Sequence, residues 1–432
     1  MAGTRRTRDE EAFTPMNDRM ARIPVSFALL VTLAAAAPSG RARASDDTLR
    51  TFDACWRHVR ALPRAAARDD LPWDELLREY RPRADEARSA AELRAVLNEM
   101  LGEIGVSHTA VLDRATHQTM MRELAGRPTP TFGVLLEEMV PGRLFVRAMY
   151  EQGPAERAGL ALGDEIVAVD GNPALASAPV VDAGYDPRPD ATRLFTLRAS
   201  AAGEALDLAV RVAPRERPRR ARIVAEATSG LEAGRRSIRV VRRGGARIGI
   251  VHLWMVARGT AELLRDALRG GLASCDAVVV DLRGRGGHAD EIGPLLASFG
   301  GGKGRARGGG RGRGAAAWTR PAVFLIDDRT RSAKEIMAWY IRRDGLGPLV
   351  GERTEGAVLG ATFVPLPGGC WLELGAIEVP VADGSSLEGV GVEPTHPVPR
   401  VGPFARGSDP ILERGLDLAA AAAGSSRLRG PF

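Results

Sequence analysis

The sequence predicts an α/β fold with a helical segment ahead of it and a β-rich unit between the two. Three observations point there. From about residue 236 the chain alternates apolar strands with helices, as in DAVVVDLRG and AVFLIDD. Leu93, Val96, Leu97, Met100, Leu101 and Ile104 recur at helical spacing. The run from Thr131 to Gly171 breaks into short strands separated by glycine turns. Strand–helix alternation builds a largely parallel sheet, whereas glycine-punctuated short strands build an antiparallel one. The chain of 432 residues, 44% apolar, has room for two or three domains.

Taken in order, an arginine precedes an apolar run from Ile23 to Ala37, and Ala42-Arg43-Ala44 follows as a small-x-small site. That pattern reads as an export signal over residues 1–44, with Met20 as the true start and cleavage after Ala44. A periplasmic or secreted protein is therefore expected. The apolar run is too short to cross a bilayer comfortably, and no stable membrane span is expected elsewhere. Residues 45–125 read as helices, with Gly105 as the stop after Ile104. Residues 126–213 form the β-rich unit, closed by RLFTLRAS and ALDLAVRVA as a strand pair. PRERPRRAR opens an exposed linker over residues 214–235. The α/β core spans 236–400, interrupted by GGKGRARGGGRGRG at 301–314, a composition that cannot pack. Residues 401–432 read as a tail, a short helix plus polar residues after Pro403.

Charge excludes one broad class of function. Residues 1–44 carry a surplus of +3 and residues 301–314 a surplus of +5. Subtracting these from the net +6 leaves −2 for the remainder, so no nucleic-acid-binding face is expected. The three cysteines have no metal-like spacing, and neither a metal nor an organic cofactor is expected. The assembly state is left open.

Four short stretches carry candidate chemistry. Ser332 stands where a strand gives way to a helix, beside orphan N–H groups that favour a developing oxyanion. Ser332 and Glu335 also spell a capping box, which needs no chemistry. DLRGRGGH (281–288) runs an apolar strand into glycines that let backbone approach a ligand, although a plain tight turn has the same composition. His108 follows the helix stop in Gly105-Val106-Ser107-His108-Thr109, and Glu388 lies in the glycine-rich loop LEGVGVEP. Taken singly, the histidine is an ordinary core or surface residue and the glutamate a solvated loop carboxylate.

Together, DLRGRGG, TRSAKE, GERTEG and EGVGVEPT, in that order, resemble the carboxyl-terminal processing (tail-specific) serine peptidases and the related tricorn-core peptidases. AGLALGDEIVAVDG resembles the PDZ domain inserted in that family, and the resemblance spans roughly residues 85–400. It implies a tail-specific protease (crotonase-like) core and an endopeptidase that hydrolyses unfolded or C-terminally recognised polypeptides. One branch of the family uses a serine–lysine dyad, with the lysine where Ala357 stands here. The only lysines of this chain are Lys303, in the Gly/Arg insertion, and Lys334, on a different face of the helix from Ser332. The resemblance therefore implies the other branch, with Ser332 as nucleophile, His108 as base and Glu388 orienting the imidazole. Backbone N–H groups of Gly286 or Gly287 and of Ala333 are implied as the oxyanion hole. Ser107 is a further orienting candidate. Glu393 stays a rival for the third position, because Thr395 replaces the usual aspartate, and His288 stays a rival base. Phe132, Gly133 and Val134 are implied as the carboxylate loop of the PDZ domain, receiving a peptide as an added strand. Arg285, where the family often has asparagine, keeps open a decayed peptide- or ligand-binding protein on the same scaffold.

Overall fold

A computed structural model describes residues 40–62, 71–183, 193–300 and 317–428. The Gly/Arg insertion and residues 1–39 of the expected export signal lie outside them; residues 40–44 enter the first helix.

The N-terminal unit consists of α1 (Gly40–Arg60), α2 (Trp73–Glu86), α3 (Ala90–Ile104), the short strand β1 (Ala110–Leu112) and α4 (Arg114–Leu124). Ser89 caps α3 by accepting the Glu92 N–H at 3.1 Å, and Gly105 ends it in the left-handed region at φ 70°. Phe52, Leu97, Met100 and Leu101 are fully buried in this unit. They pack with Leu372 and Leu374, which the chain supplies hundreds of residues later.

The β-rich unit follows: β2 (Thr129–Thr131), β3 (Val134–Val140), β4 (Arg143–Met149), α5 (Pro154–Arg157), β5 (Glu165–Val169), β6 (Asn172–Pro173), β7 (Val180–Asp182), β8 (Leu194–Leu197), β9 (Ala205–Arg211), β10 (Arg219–Val224) and β11 (Glu226–Thr228). One sheet runs β10-β9-β5-β4-β3-β8-β7. The two strands expected to pair with each other do not. β8 pairs with β3 and β7, while β9 pairs with β5 and β10. Nor is 214–235 a linker: RRARIV is strand β10, with Ala221 and Ile223 buried and its arginines outward.

The core comprises α6 (Gly230–Ser237), β12 (Arg239–Arg243), β13 (Ala246–His252), α7 (Thr260–Arg269), β14 (Ala277–Asp281), α8 (Ile292–Ala297), β15 (Ala322–Ile326), α9 (Ala333–Arg343), β16 (Leu349–Gly351), β17 (Gly360–Pro365), β18 (Trp371–Ile377), β19 (His396–Pro397) and α10 (Pro410–Leu428). Its sheet is β12-β13-β14-β15-β16-β19, parallel from β13 onward with β12 as an antiparallel edge. β14 and β15 are buried at every residue, which explains their unbroken apolar sequence. α7, α8 and α9 cover one face and α10 the other. The expected tail is thus a layer of the core. β17 and β18 leave that sheet and join β1 in the order β1-β18-β17, tying the N-terminal unit to the core.

Candidate active site

The carboxyl ends of neighbouring parallel strands are where an α/β sheet opens a crevice. β14 and β15 end there, and each runs into one of the predicted turns. After β14, Arg283 holds Asp281 and Asp409 together through bonds of 2.6 and 2.7 Å from Nη2, which pins the glycine turn to the head of α10. After β15, the chain turns through Asp327–Arg331 into Ser332, the N-cap of α9.

Ser332 has φ 56° and ψ −128°, where an N-cap ordinarily sits in the extended region. A non-glycine residue in that region stores strain, and at a strand-to-helix turn it presents the hydroxyl outward, as in a nucleophile elbow. The Ser332 N–H donates to Ala357 O at 2.8 Å and to Glu335 Oε2 at 3.2 Å. Glu335 thus accepts the N-cap N–H as in a capping box. Glu335 also accepts from Thr354 Oγ1 at 2.6 Å and from the N–H groups of Gly356 and Ala357 at 2.6 and 2.7 Å. Burial pushes its carboxyl up to about 7 against these donors, with Glu355 adding to the rise.

Gly286 lies against the serine: a Cβ there would stand 2.5 Å from Ser332 Cβ and 2.6 Å from Arg331 O. Only glycine fits. Gly287, at φ 148°, is held as closely to Val256, whose N–H and C=O bond Gly286 O and His288 N at 3.0 and 2.8 Å. Among the described residues, the N–H groups of Gly286, Gly287 and Ala333 donate to no protein acceptor.

His108 is half-buried, with φ 53°. Its Nδ1 lies 3.2 Å from Ser107 Oγ, which leaves Nε2 for a reacting proton. Burial, and then the charge of Arg331, hold the imidazole well below its ordinary pKa. Among the described residues no hydrogen bond joins Ser332 Oγ to His108. Glu388 does not bond the imidazole either. One of its oxygens accepts the Ser107 N–H at 3.3 Å and the other accepts Val358 and Leu359 N–H at 2.8 and 3.2 Å. Ser107 thus stands between Glu388 and His108, and the loop is fixed from its other side by Thr109 Oγ1 on Ser107 O at 3.2 Å.

The rivals make other contacts. Glu393 is exposed and faces Arg353 at 3.9 Å, while Thr395 bonds both polar main-chain groups of Leu349. His288 makes no hydrogen bond to Ser332 among the described residues. Lys334 is fully buried and donates Nζ to Trp254 O and Arg283 O at 3.2 and 3.0 Å, under the glycine turn. Burial lowers its ammonium to about 7, but its bonds go to carbonyls and not to Ser332. Phe132, Gly133 and Val134 do not form the open groove expected of them. Gly133 donates its N–H to Thr131 Oγ1 at 2.9 Å, and β3 is already paired on both sides, by β4 and by β8. Sequence reading also missed Arg331, whose charge acts on His108. Its place beside the serine in TRSAKE was the available signal.

Residues 247–398 match peptidase family S41, residues 145–185 a PDZ domain, and residues 48–102 the tricorn protease C1 domain. The chain is 29% identical over 398 residues to tricorn protease homolog 1 of Streptomyces coelicolor, covering 86% of this chain and 35% of that protein. It is 26% identical over 276 residues to the chloroplastic carboxyl-terminal-processing peptidase 2 of Arabidopsis thaliana, covering 60% of this chain and 50% of that one. It spans about a third of the length of the two tricorn homologs it matches, 35% and 32%. The crystal structure of mature CPAF superposes with a TM-score of 0.54 at 12% identity, over 90% of this chain and 99% of that one, a likeness of fold alone.

Proposed function

We propose, from the premise that this chain is a serine-type peptidase with an S41 core, that it cuts unfolded polypeptides through Ser332, His108 and Glu388. The observation that carries this reading is a bonded path between the segments: strained Ser332, packed against Gly286, donates its N–H to Ala357 O, the next residue Val358 donates to Glu388, and Glu388 accepts from Ser107, whose Oγ lies against His108. Ser332 Oγ attacks the scissile carbonyl carbon while its proton passes to His108 Nε2. The oxyanion forms against the unbonded N–H groups of Gly286 or Gly287 and of Ala333. The C–N bond then breaks, His108 returns the proton to the leaving amine, and water releases the acyl group by the same steps in reverse order. Glu388 acts through Ser107, holding the loop that fixes the imidazole. Export to a periplasmic or extracellular space remains part of this proposal, resting on residues 1–44.

The experiment is digestion of a denatured protein by the purified chain, with fluorophosphonate labelling alongside. Ser332→Ala should lose labelling and lower kcat by roughly 10³-fold or more. Equal digestion by the alanine variant would remove Ser332 from its role. The missing Ser332–His108 hydrogen bond favours a second reading, a binding protein that has lost catalysis. Resting enzymes also show such loosened contacts. Labelling of the wild type at Ser332 decides for the enzyme.

A further inference from the structure

The β-rich unit resembles a module that captures peptides, yet its acceptor edge is closed. Peptide capture by strand addition needs an open edge beside the carboxylate loop. Here β8 lies along that edge, pairing Leu135, Leu136 and Glu137 with Thr196, Phe195 and Leu194. Thr196 Oγ1 donates to Val134 O at 2.9 Å and the Glu138 N–H donates to Arg193 O at 3.0 Å, so the occupied stretch runs from 134 to 138. Leu194, Phe195 and Leu197 are buried, and Phe195 and Leu197 belong to the unit's own apolar core. A strand anchored this way is structural and not a loose plug.

The same two strands, β3 and β4, instead drive a charge cluster into the core. Arg147 of β4 is buried and bonds Glu137 Oε2 of β3 at 2.8 Å. It then crosses to the turn before the nucleophile, with Nη2 at 3.0 Å from Asp327 Oδ2 and 2.8 Å from Asp328 Oδ1. The other oxygen of Asp327 accepts the Gly284 N–H at 3.2 Å, the Arg329 N–H at 3.1 Å and Thr330 Oγ1 at 3.1 Å. One carboxylate therefore ties the glycine turn to the serine turn, and Arg147 of the other unit, ahead of Arg283, supplies its counter-charge. Arg400 backs the cluster from Glu137, at 3.1 Å, to Glu352, at 3.3 Å. A buried carboxylate that loses its nearest cation is costly, so removing Arg147 weakens the hold on both turns.

We propose that the PDZ-like unit of this chain is a fixed buttress of the active site: its peptide edge is filled by β8, and Arg147 positions the glycine and nucleophile turns. The inference rests on the peptidase reading for its kinetic part alone. Substrate then enters the cleft without its C-terminal carboxylate being held by this unit.

Two measurements on the full chain test it. A fluorescein-labelled decapeptide ending in Val-Val-Val, with a free carboxylate or an amide, is titrated onto the Ser332→Ala protein. Indistinguishable polarisation curves are expected; roughly ten-fold tighter binding of the free acid would overturn the closed edge. Arg147→Met should lower kcat roughly 10²-fold at unchanged KM, since small misplacements of reacting groups have effects of that size. Millimolar methylguanidinium should restore part of the rate, where sodium chloride at the same concentration should not. Arg147→Lys, which keeps the charge and loses the fork, should fold and show the same kcat loss if the methionine variant does not fold. Unchanged kcat in a folded variant, or loss that only tracks the unfolded fraction with no rescue, sinks the positioning role. If the wild type neither labels nor hydrolyses, the peptidase reading fails, and the peptide titration still decides whether the edge is closed.

Discussion

In the proposed mechanism His108 owes its fitness as a base to what surrounds it. Burial and the Arg331 guanidinium both disfavour the imidazolium, so the ring is neutral at pH 7 and able to accept the Ser332 proton. The sign can be followed through to kinetics. A base whose pKa lies below the ordinary histidine value of about 6.5 stays deprotonated through mildly acidic pH, so the acid limb of kcat/KM should fall below that value. Arg331→Gln removes the smaller of the two causes. The limb should move upward but stop short of the ordinary value, because burial is untouched. A pH profile of fluorophosphonate labelling reads this directly, and an unmoved limb would assign the depression to burial alone.

Glu335 shows how an element end is held for chemistry. Its two oxygens only accept, from Thr354, Gly356, Ala357 and Ser332, so it fastens the start of α9 to the segment after β16. An amide must turn its NH2 onto one pair of those donors. Glu335→Gln should therefore cost about 1–3 kcal/mol in urea unfolding and slow Ser332 labelling, because the strained N-cap loses its restraint. A variant with wild-type stability and labelling would show that the serine turn holds itself. Glu388→Ala should act at the next loop, releasing Ser107 and lowering kcat by about 10²-fold, measured beside Ser107→Ala as a comparison. Much of this element-scale arrangement is legible in the sequence. β14, β15, α3 and α9 announce themselves by apolar runs and helical spacing, and the serine and glycine turns sit at their ends. The pairing of β8 with β3 is not legible, because an alternating strand carries no label for its partner. RRARIV looks like a linker for a related reason: its outward arginines dominate the composition while only Ala221 and Ile223 mark the inward face.

At the scale of the molecule, the site depends on segments far apart in the chain being gathered by shared cores. β18 brings Leu372 and Leu374 to the N-terminal helices, which places the His108 loop against Gly375, where a Cβ would meet Ser107 O at 2.1 Å. Arg147 gathers the middle unit by charge, a contact that sequence spacing cannot reveal because its partners lie 10, 180 and 181 residues away. The last gatherer is α10. It lays Ile411, Leu416 and Ala419 on the face of the sheet opposite α9 and presents Asp409 to Arg283 at its head. The stretch reads as a tail because its alanine-rich repeat has little amphipathic contrast. Its burial nevertheless seals Val279, Val323 and Leu325 from water. Truncating one of its knobs should therefore be a core mutation and not a tail mutation. Ile411→Ala is expected to lower unfolding free energy by about 2–5 kcal/mol, and Arg414→Ala, on the exposed side, to stay within about 0.5 kcal/mol. Urea melts of the two variants separate the outcomes. Equal stability in both would mean that the sheet face closes without the Ile411 side chain.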